Sequence, residues 1–203
     1  MNKRIIIDSN RHRQDIISAA NKLFLKSGYE NVTITQIARE AKFTRKTIYA
    51  YFKTKEELYL MVFLNTSRNR WRYIKQKMNQ EKQGMAKLSA YARAVYEYSL
   101  KYPEQLRFGL YWEHNGLDFK RIRKEIADEF HRPQSLAINH TIEAFKTGIR
   151  DGSLREDLDI PKIMSYMCLT FRAMMNEIIL GYQKKDFYFD FVDFFLAAIK
   201  KTG

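Results

Sequence analysis

Apolar residues recur at spacings of three and four through most of the chain, the period of a helix with one buried face. In RQDIISAANKLFLKSGYE, residues Ile16, Ile17, Ala20, Leu23 and Phe24 form one stripe, and Gly28 follows where a helix end turns left-handed. A helix is therefore predicted from about residue 11 to residue 27. Thr33-Ile34-Thr35-Gln36 has the form of a capping box, with Val32 before it to staple onto Ile37, and opens a short helix to about residue 41. Phe43-Thr44 repeats the device: Thr44 caps a third helix and Phe43 packs on Ile48. Thr54-Lys55-Glu56-Glu57 is a third box and opens a longer helix to about residue 77.

Beyond the polar stretch 79–84 the helical period continues. Helices are predicted from about 85 to 102 and from Pro103, well suited to a first helical position, to about 114. A helical region follows over 118–151, with a kink or break near Pro133. DGSLREDLDI is a loop, and two last helices run from Pro161 to Gly181 and over 186–201. The fold class is all-α, about nine or ten helices in total. It divides into a three-helix N-terminal domain at 1–53 and a larger helical domain at 54–203.

Composition adds location, and charge adds a partner. Hydrophobic residues at 45% and charged residues at 29% suit a folded chain. The first ten residues hold a three-residue apolar run, far short of the roughly 7 to 15 of a signal peptide, and no apolar run reaches the roughly 20 that span a bilayer. Cys168 is the single cysteine and lies in an apolar stretch, which reads as a core thiol in a reducing compartment. A cytoplasmic protein with no membrane association is expected. The net charge of +13 is uneven: residues 1–77 carry +11 and residues 78–203 only +2. A basic segment joined to a near-neutral one points to a module for a polyanion.

The first module has the form such binding needs. A helix reaches base edges by lying in the major groove, with a second helix across it to hold its angle. Sorting faces over 33–52 leaves Ile37, Ala38, Ala41, Phe43, Ile48 and Phe52 inside, and Arg45, Lys46, Thr47, Tyr49 and Tyr51 outside or at the rim. Thr44 offers a helix N-terminus to phosphate. Arg45, Lys46 and Thr47, in the first turn, are the side chains to reach bases. Tyr49 and Tyr51 can cover sugar and donate to phosphate, and Lys55 adds a phosphate contact.

GYENVTITQIAREAKFTRKTIYAYFKTKEELY resembles the N-terminal domain of the TetR (tetracycline repressor) family. The family pattern of Gly-Tyr, Thr, Ile-Ala, Tyr-x-x-Phe and Lys-Glu-x-Leu is met by Gly28, Tyr29, Thr33, Ile37, Ala38, Tyr49, Phe52, Lys55, Glu56 or Glu57, and Leu58. Carried over by position, the resemblance implies DNA contacts at Thr33, Thr44, Arg45, Lys46, Thr47, Tyr49 and Lys55, with Phe52 structural. Lys42 stands where the family often has glycine. It either strains the turn or adds a cation near phosphate.

The resemblance also implies a homodimer through the last two helices, and those helices are apolar on more than one side. Phe171, Met174, Met175, Ile178, Phe191, Phe194 and Phe195 are the expected interface. A small hydrophobic or aromatic effector is expected in a pocket drawn from Tyr91, Tyr98, Phe108, Tyr111, Trp112, Glu113, Phe145, Tyr166 and Phe171. The expected function is a ligand-responsive dimeric regulator, a repressor, on palindromic double-stranded operator DNA. Two rivals are an architectural, nucleoid-associated protein on the same fold with no effector, and a soluble enzyme or carrier with a basic end. His12, His114, His131 and His140 lack metal-ligand spacing, and no glycine-rich phosphate loop or nucleophile-base set occurs, so no catalytic residue, metal or cofactor is expected.

Overall fold

A computed structural model describes residues 3–116 and 118–201, with side chains described except at 3–7, 112–115 and 131–137. The described residues form nine α-helices: α1 Lys3–Ser27, α2 Ile34–Glu40, α3 Arg45–Tyr51, α4 Lys55–Met78, α5 Gly84–Lys101, α6 Pro103–Asn115, α7 Lys124–Arg150, α8 Ile160–Ile179 and α9 Lys185–Ile199. A 3-10 turn at Phe119–Arg121 precedes α7, and the extended pairing among them is one isolated bridge between Leu154 and Lys200. The all-α expectation holds.

Local signals account for several ends. Thr33 accepts a hydrogen bond from the Gln36 amide while the Gln36 side chain returns to the Thr33 backbone, a complete capping box. Thr44 caps α3 through the Thr47 amide at 3.1 Å, Asp159 caps α8 through Lys162, and Gly28 follows α1 with φ 78°.

Three expectations need correction. α1 begins at Lys3 rather than near residue 11: the β-branched triplet Ile5-Ile6-Ile7 lowers helix propensity but does not halt a helix nucleated downstream. α7 runs unbroken through Pro133, and the interruption falls earlier, where Asp118 caps the 3-10 turn through Lys120. The Thr54 box is only half formed. Thr54 accepts from the Glu57 amide, but the Glu57 carboxylate turns to the Lys53 amide and to Arg123.

Packing divides the chain into two compact units, Met1–Ser67 with Glu104–Arg132, and Arg68–Pro103 with Pro133–Gly203. The first buries Ile16, Ala20 and Phe24 of α1 against Ile37, Ile48, Phe52 and Leu58, and adds Phe108, Ile122, Ile126 and Phe130 from later in the chain. A three-helix module alone has too little interior to be secure, and these additions enlarge it. The second unit buries Leu88, Ala92, Phe145, Met164, Met167, Phe171, Met175, Tyr188 and Val192. Tyr188 is wholly buried and its hydroxyl donates to the Ala92 carbonyl at 2.8 Å.

Candidate nucleic-acid interface

α2 and α3 are seven residues each and meet through a turn whose hydrogen bonds identify it. The Phe43 amide donates to the Ala38 carbonyl at 2.9 Å and the Lys42 amide to Arg39 at 3.2 Å, the double bond pattern of a Schellman cap. That motif needs a left-handed residue after the helix, and Lys42 supplies it with φ 58°. Glycine is the usual occupant because a Cβ there is strained. The left-handed strain is therefore present at Lys42, and its exposed side chain displays a cation beside the start of α3.

Burial fixes which face of α3 is available. Ile48 and the following Phe52 are buried, whereas Arg45, Lys46 and Tyr49 are exposed and Thr47 is half-buried. Thr44 and Thr47 share a hydroxyl contact of 2.9 Å that ties the first turn down. Among the described residues, neither Arg45 nor Lys46 has an ion pair or hydrogen bond. Some other cations of this unit are engaged: Arg13 with Glu129 at 2.7 Å, Lys22 with Glu40 at 2.6 Å and Arg121 with Glu56 at 3.0 Å. A helix tip with unengaged cations and polar caps is chemically ready for an anion.

The remaining expected contacts are held more tightly. Thr33 is exposed but committed to its capping box. Tyr51 is half-buried, its hydroxyl 3.5 Å from His12 Nδ1. Lys55 lies 4.0 Å over the Tyr29 ring and 3.5 Å from the Glu30 carbonyl. Burial pulls its pKa down, against the opposing pull of Glu30 and Glu56. Tyr111 donates its hydroxyl to the Glu30 carboxylate, and burial followed by that carboxylate pushes its pKa up to about 12.

Of the nine residues expected to line one pocket, seven have described side chains, and these fall in two compact units. Phe108 and Tyr111 belong to the first unit, where Phe108 packs on Phe24 and Tyr59 and accepts the Tyr59 hydroxyl. Tyr91, Tyr98, Phe145, Tyr166 and Phe171 belong to the second. Trp112 and Glu113 lie outside the residues whose side chains are described. Within the second unit Tyr91 stacks on Phe171 with ring centroids 6.3 Å apart, and Phe171 contacts Tyr188. Phe145 is buried, Tyr98 packs on Tyr73 and Tyr102, and Tyr166 is 55% exposed. Reasoning from the sequence missed Trp71, which packs on Tyr91 and His140, and Tyr188 itself. Aromatic residues at helical spacing carry no mark of which neighbour they meet.

Cys168 also departs from expectation: the residue is exposed, while desolvation pushes the pKa of its thiol and of the Tyr91 hydroxyl up. Of the expected interface, Phe171, Met174 and Met175 are buried within the chain's own core, which withdraws them from any partner. Ile178, Phe191 and Phe195 are half-buried and Phe194 is 70% exposed. Apolar side chains surround these helices, so periodicity could not tell the inward face from the outward one. The outward residues are Tyr166, Leu169 and Ala173 on α8 and Leu180 just past its end, with Phe187 and Phe194 on α9. No helix among the described residues is long and apolar enough to cross a membrane.

Comparison with known proteins bears on both units. Residues 16–62 match the family described as bacterial regulatory proteins, tetR family. The chain is 45% identical over 60 residues to the HTH-type transcriptional regulator HbdR of Aromatoleum sp. (strain CIB), covering 30% of this chain and 25% of that protein. It is 34% identical over 76 residues to the HTH-type transcriptional regulator QacR of Staphylococcus aureus (strain Mu50 / ATCC 700699), covering 34% of this chain and 40% of that protein. These matches span well under two thirds of either relative. Solved structures extend the likeness of fold to nearly the whole chain. A protein with unknown function from Rhodococcus sp. RHA1 aligns with a TM-score of 0.74 at 15% identity, over 94% of this chain and 96% of that one. The transcriptional regulator FadR of Bacillus subtilis, solved in complex with stearoyl-CoA, aligns at 0.66 and 18% identity, over 91% and 95%. A capped helix-turn-helix with its cations displayed and the match over residues 16–62 converge: residues 16–62 form a DNA-binding module of the kind described as bacterial regulatory proteins, tetR family, within a chain whose fold is shared with solved proteins over nearly its whole length.

Proposed function

We propose that the chain is a cytoplasmic, effector-responsive repressor that acts as a homodimer on palindromic operator DNA. Residues 1–53 serve as the DNA-binding domain and residues 54–203 as the effector-binding and dimerisation domain. The observation that carries this reading is the first turn of α3, where Arg45 and Lys46 are exposed and unengaged beside the Thr44 cap. In this reading Arg45, Lys46 and Thr47 meet bases, Thr44, Tyr49 and Lys42 meet the backbone, and Thr33, Tyr51 and Lys55 border the contact. Two recognition helices about 34 to 36 Å apart, or somewhat more, read two half-sites, and an effector that alters their spacing releases both. A coupling of roughly 1 to 3 kcal/mol changes operator affinity about 5- to 150-fold.

The outward apolar stripe of α8 and α9 supports pairing with a second copy, since large exposed apolar patches mark interaction surfaces. The aromatic group around Tyr91 and Phe171, with Trp71 and Tyr188 beside it, supports a small hydrophobic or aromatic effector. A salt titration tests the DNA reading. With about 8 phosphates contacted, log affinity falls against log salt with a slope near −7, and a flat response rejects it. Footprinting over genomic DNA is expected to give one or a few palindromes; many dispersed sites would favour an architectural protein instead.

A further inference from the structure

Glu57 reads in sequence as the last residue of a capping box, yet its carboxylate is spent elsewhere. The side chain is wholly buried and accepts four N–H groups. Oε2 takes the Lys53 amide at 2.7 Å and Arg123 Nη2 at 2.8 Å, while Oε1 takes the Arg123 amide at 3.0 Å and Arg123 Nε at 2.8 Å. Burial alone would push this carboxyl up. The Arg123 and backbone hydrogen bonds outweigh it and hold the group below the usual carboxylate range.

The same guanidinium reaches α3. Arg123 Nη2 donates to the Tyr51 carbonyl at 2.7 Å, and Tyr51 is the last residue of that helix before Phe52 leaves helical geometry at φ −130° and ψ 114°. The final carbonyls of a helix lack intrahelical partners and carry the negative end of its dipole. One planar fork therefore joins the end of α3 to a carboxylate in the first turn of α4, a double task that a lysine ammonium cannot perform with fixed geometry. Arg123 is itself anchored. Ile122, Ile126 and Phe130 on either side enter the first unit's core, and Arg121–Glu56 and Arg13–Glu129 pair the same segment to the bundle.

We propose that Arg123 is a positioning residue for operator recognition: by linking the Tyr51 carbonyl to the Glu57 carboxylate, it sets the tilt and axial position of α3. The inference rests on the reading of α3 as the recognition helix. Base-edge bonds tolerate errors of only about 0.5 Å and 10–20°, whereas phosphate contacts to long side chains are forgiving. Loss of the link therefore lowers base discrimination and leaves general DNA attraction in place.

The test uses the full chain, an operator selected from random duplexes and an unrelated duplex of equal length. Arg123→Lys is expected to weaken operator binding about tenfold or more, to leave the unrelated duplex within about twofold, and to keep the salt slope within about 1. The amide resonances of residues 45–53 should shift in the folded variant. Arg121→Met, which breaks the neighbouring pair without touching α3, should keep the parental discrimination. A folded Arg123→Lys variant with parental discrimination overturns the proposal. If that variant does not fold, Glu57→Gln is measured in its place with the same expectation. Unfolding of both also overturns it, because the pair would then hold the whole unit rather than α3. Arg45→Ala run in parallel separates the two failures: if it lowers discrimination and Arg123→Lys does not, only this inference falls, and if neither does, the reading of α3 falls.

Discussion

The helix pairs α2–α3 and α8–α9 turn their corners in the same way and present opposite chemistry. After α8 the Tyr182 amide donates to Glu177 at 2.9 Å and the Gly181 amide to Ile178 at 3.1 Å, matching the Phe43 and Lys42 bonds after α2. The left-handed residue is Gly181 at φ 80° in one and Lys42 at φ 58° in the other. Past the corner, α3 leaves arginine and lysine outside, while α8 and α9 leave Leu169 57% exposed and Phe194 70% exposed. One cap thus serves two purposes, and what distinguishes them is the side chains left without an internal neighbour. Unengaged cations call for a polyanion, and an uncovered apolar stripe calls for another apolar surface.

The comparison breaks most visibly at α8–α9. Leu169→Glu with Phe194→Glu places four charges in a two-fold interface and is expected to weaken dimerisation about 100-fold or more, with operator binding lost alongside. Sedimentation across a concentration series measures it, and an unchanged dimer would mean that this stripe is not the contact. At α2–α3, Arg45→Ala is expected to cost about 1 to 3 kcal/mol on operator and much less on operator altered at the base it reads. Competition binding reads the difference, and equal losses on both duplexes would reduce Arg45 to a backbone contact. Thr44→Ala removes the cap and should lower stability by about 1 kcal/mol in denaturant melts.

The smallest effects lie in the corners themselves. Lys42→Gly relieves a left-handed side chain and should stabilise the chain by roughly 0.5 to 1 kcal/mol, since the relief exceeds the entropy that glycine adds to the unfolded state. Gly181→Lys should destabilise it by roughly the same amount. If Lys42→Gly also flattens the salt slope by about 1, the strained cation touches phosphate; an unchanged slope leaves it a strained residue only.

Legibility followed the range of the interactions. The Thr33–Gln36 box, the Thr44 cap and the inside of α2 and α3 at Ile37, Ile48 and Phe52 were readable because they involve residues within one or two turns. Glu57 was misread because its partner Arg123 is 66 positions away, and a local motif offered a sufficient alternative. Two of the pocket candidates, Phe108 and Tyr111, were placed for the same reason: they joined the first unit through contacts with Phe24, Tyr29 and Tyr59 that no spacing announces.

By itself the amino-acid order determined the helical class, the capped corner between α2 and α3 and the cationic face of α3, because helix period and capping are properties of neighbours along the chain. Only the tertiary structure decided that Arg123 grips the end of α3, that Phe171, Met174 and Met175 are spent inside the chain, and that Tyr166, Leu169 and Phe194 are left outside. Periodicity groups residues onto a face, but which face meets a neighbour depends on surfaces supplied by distant segments.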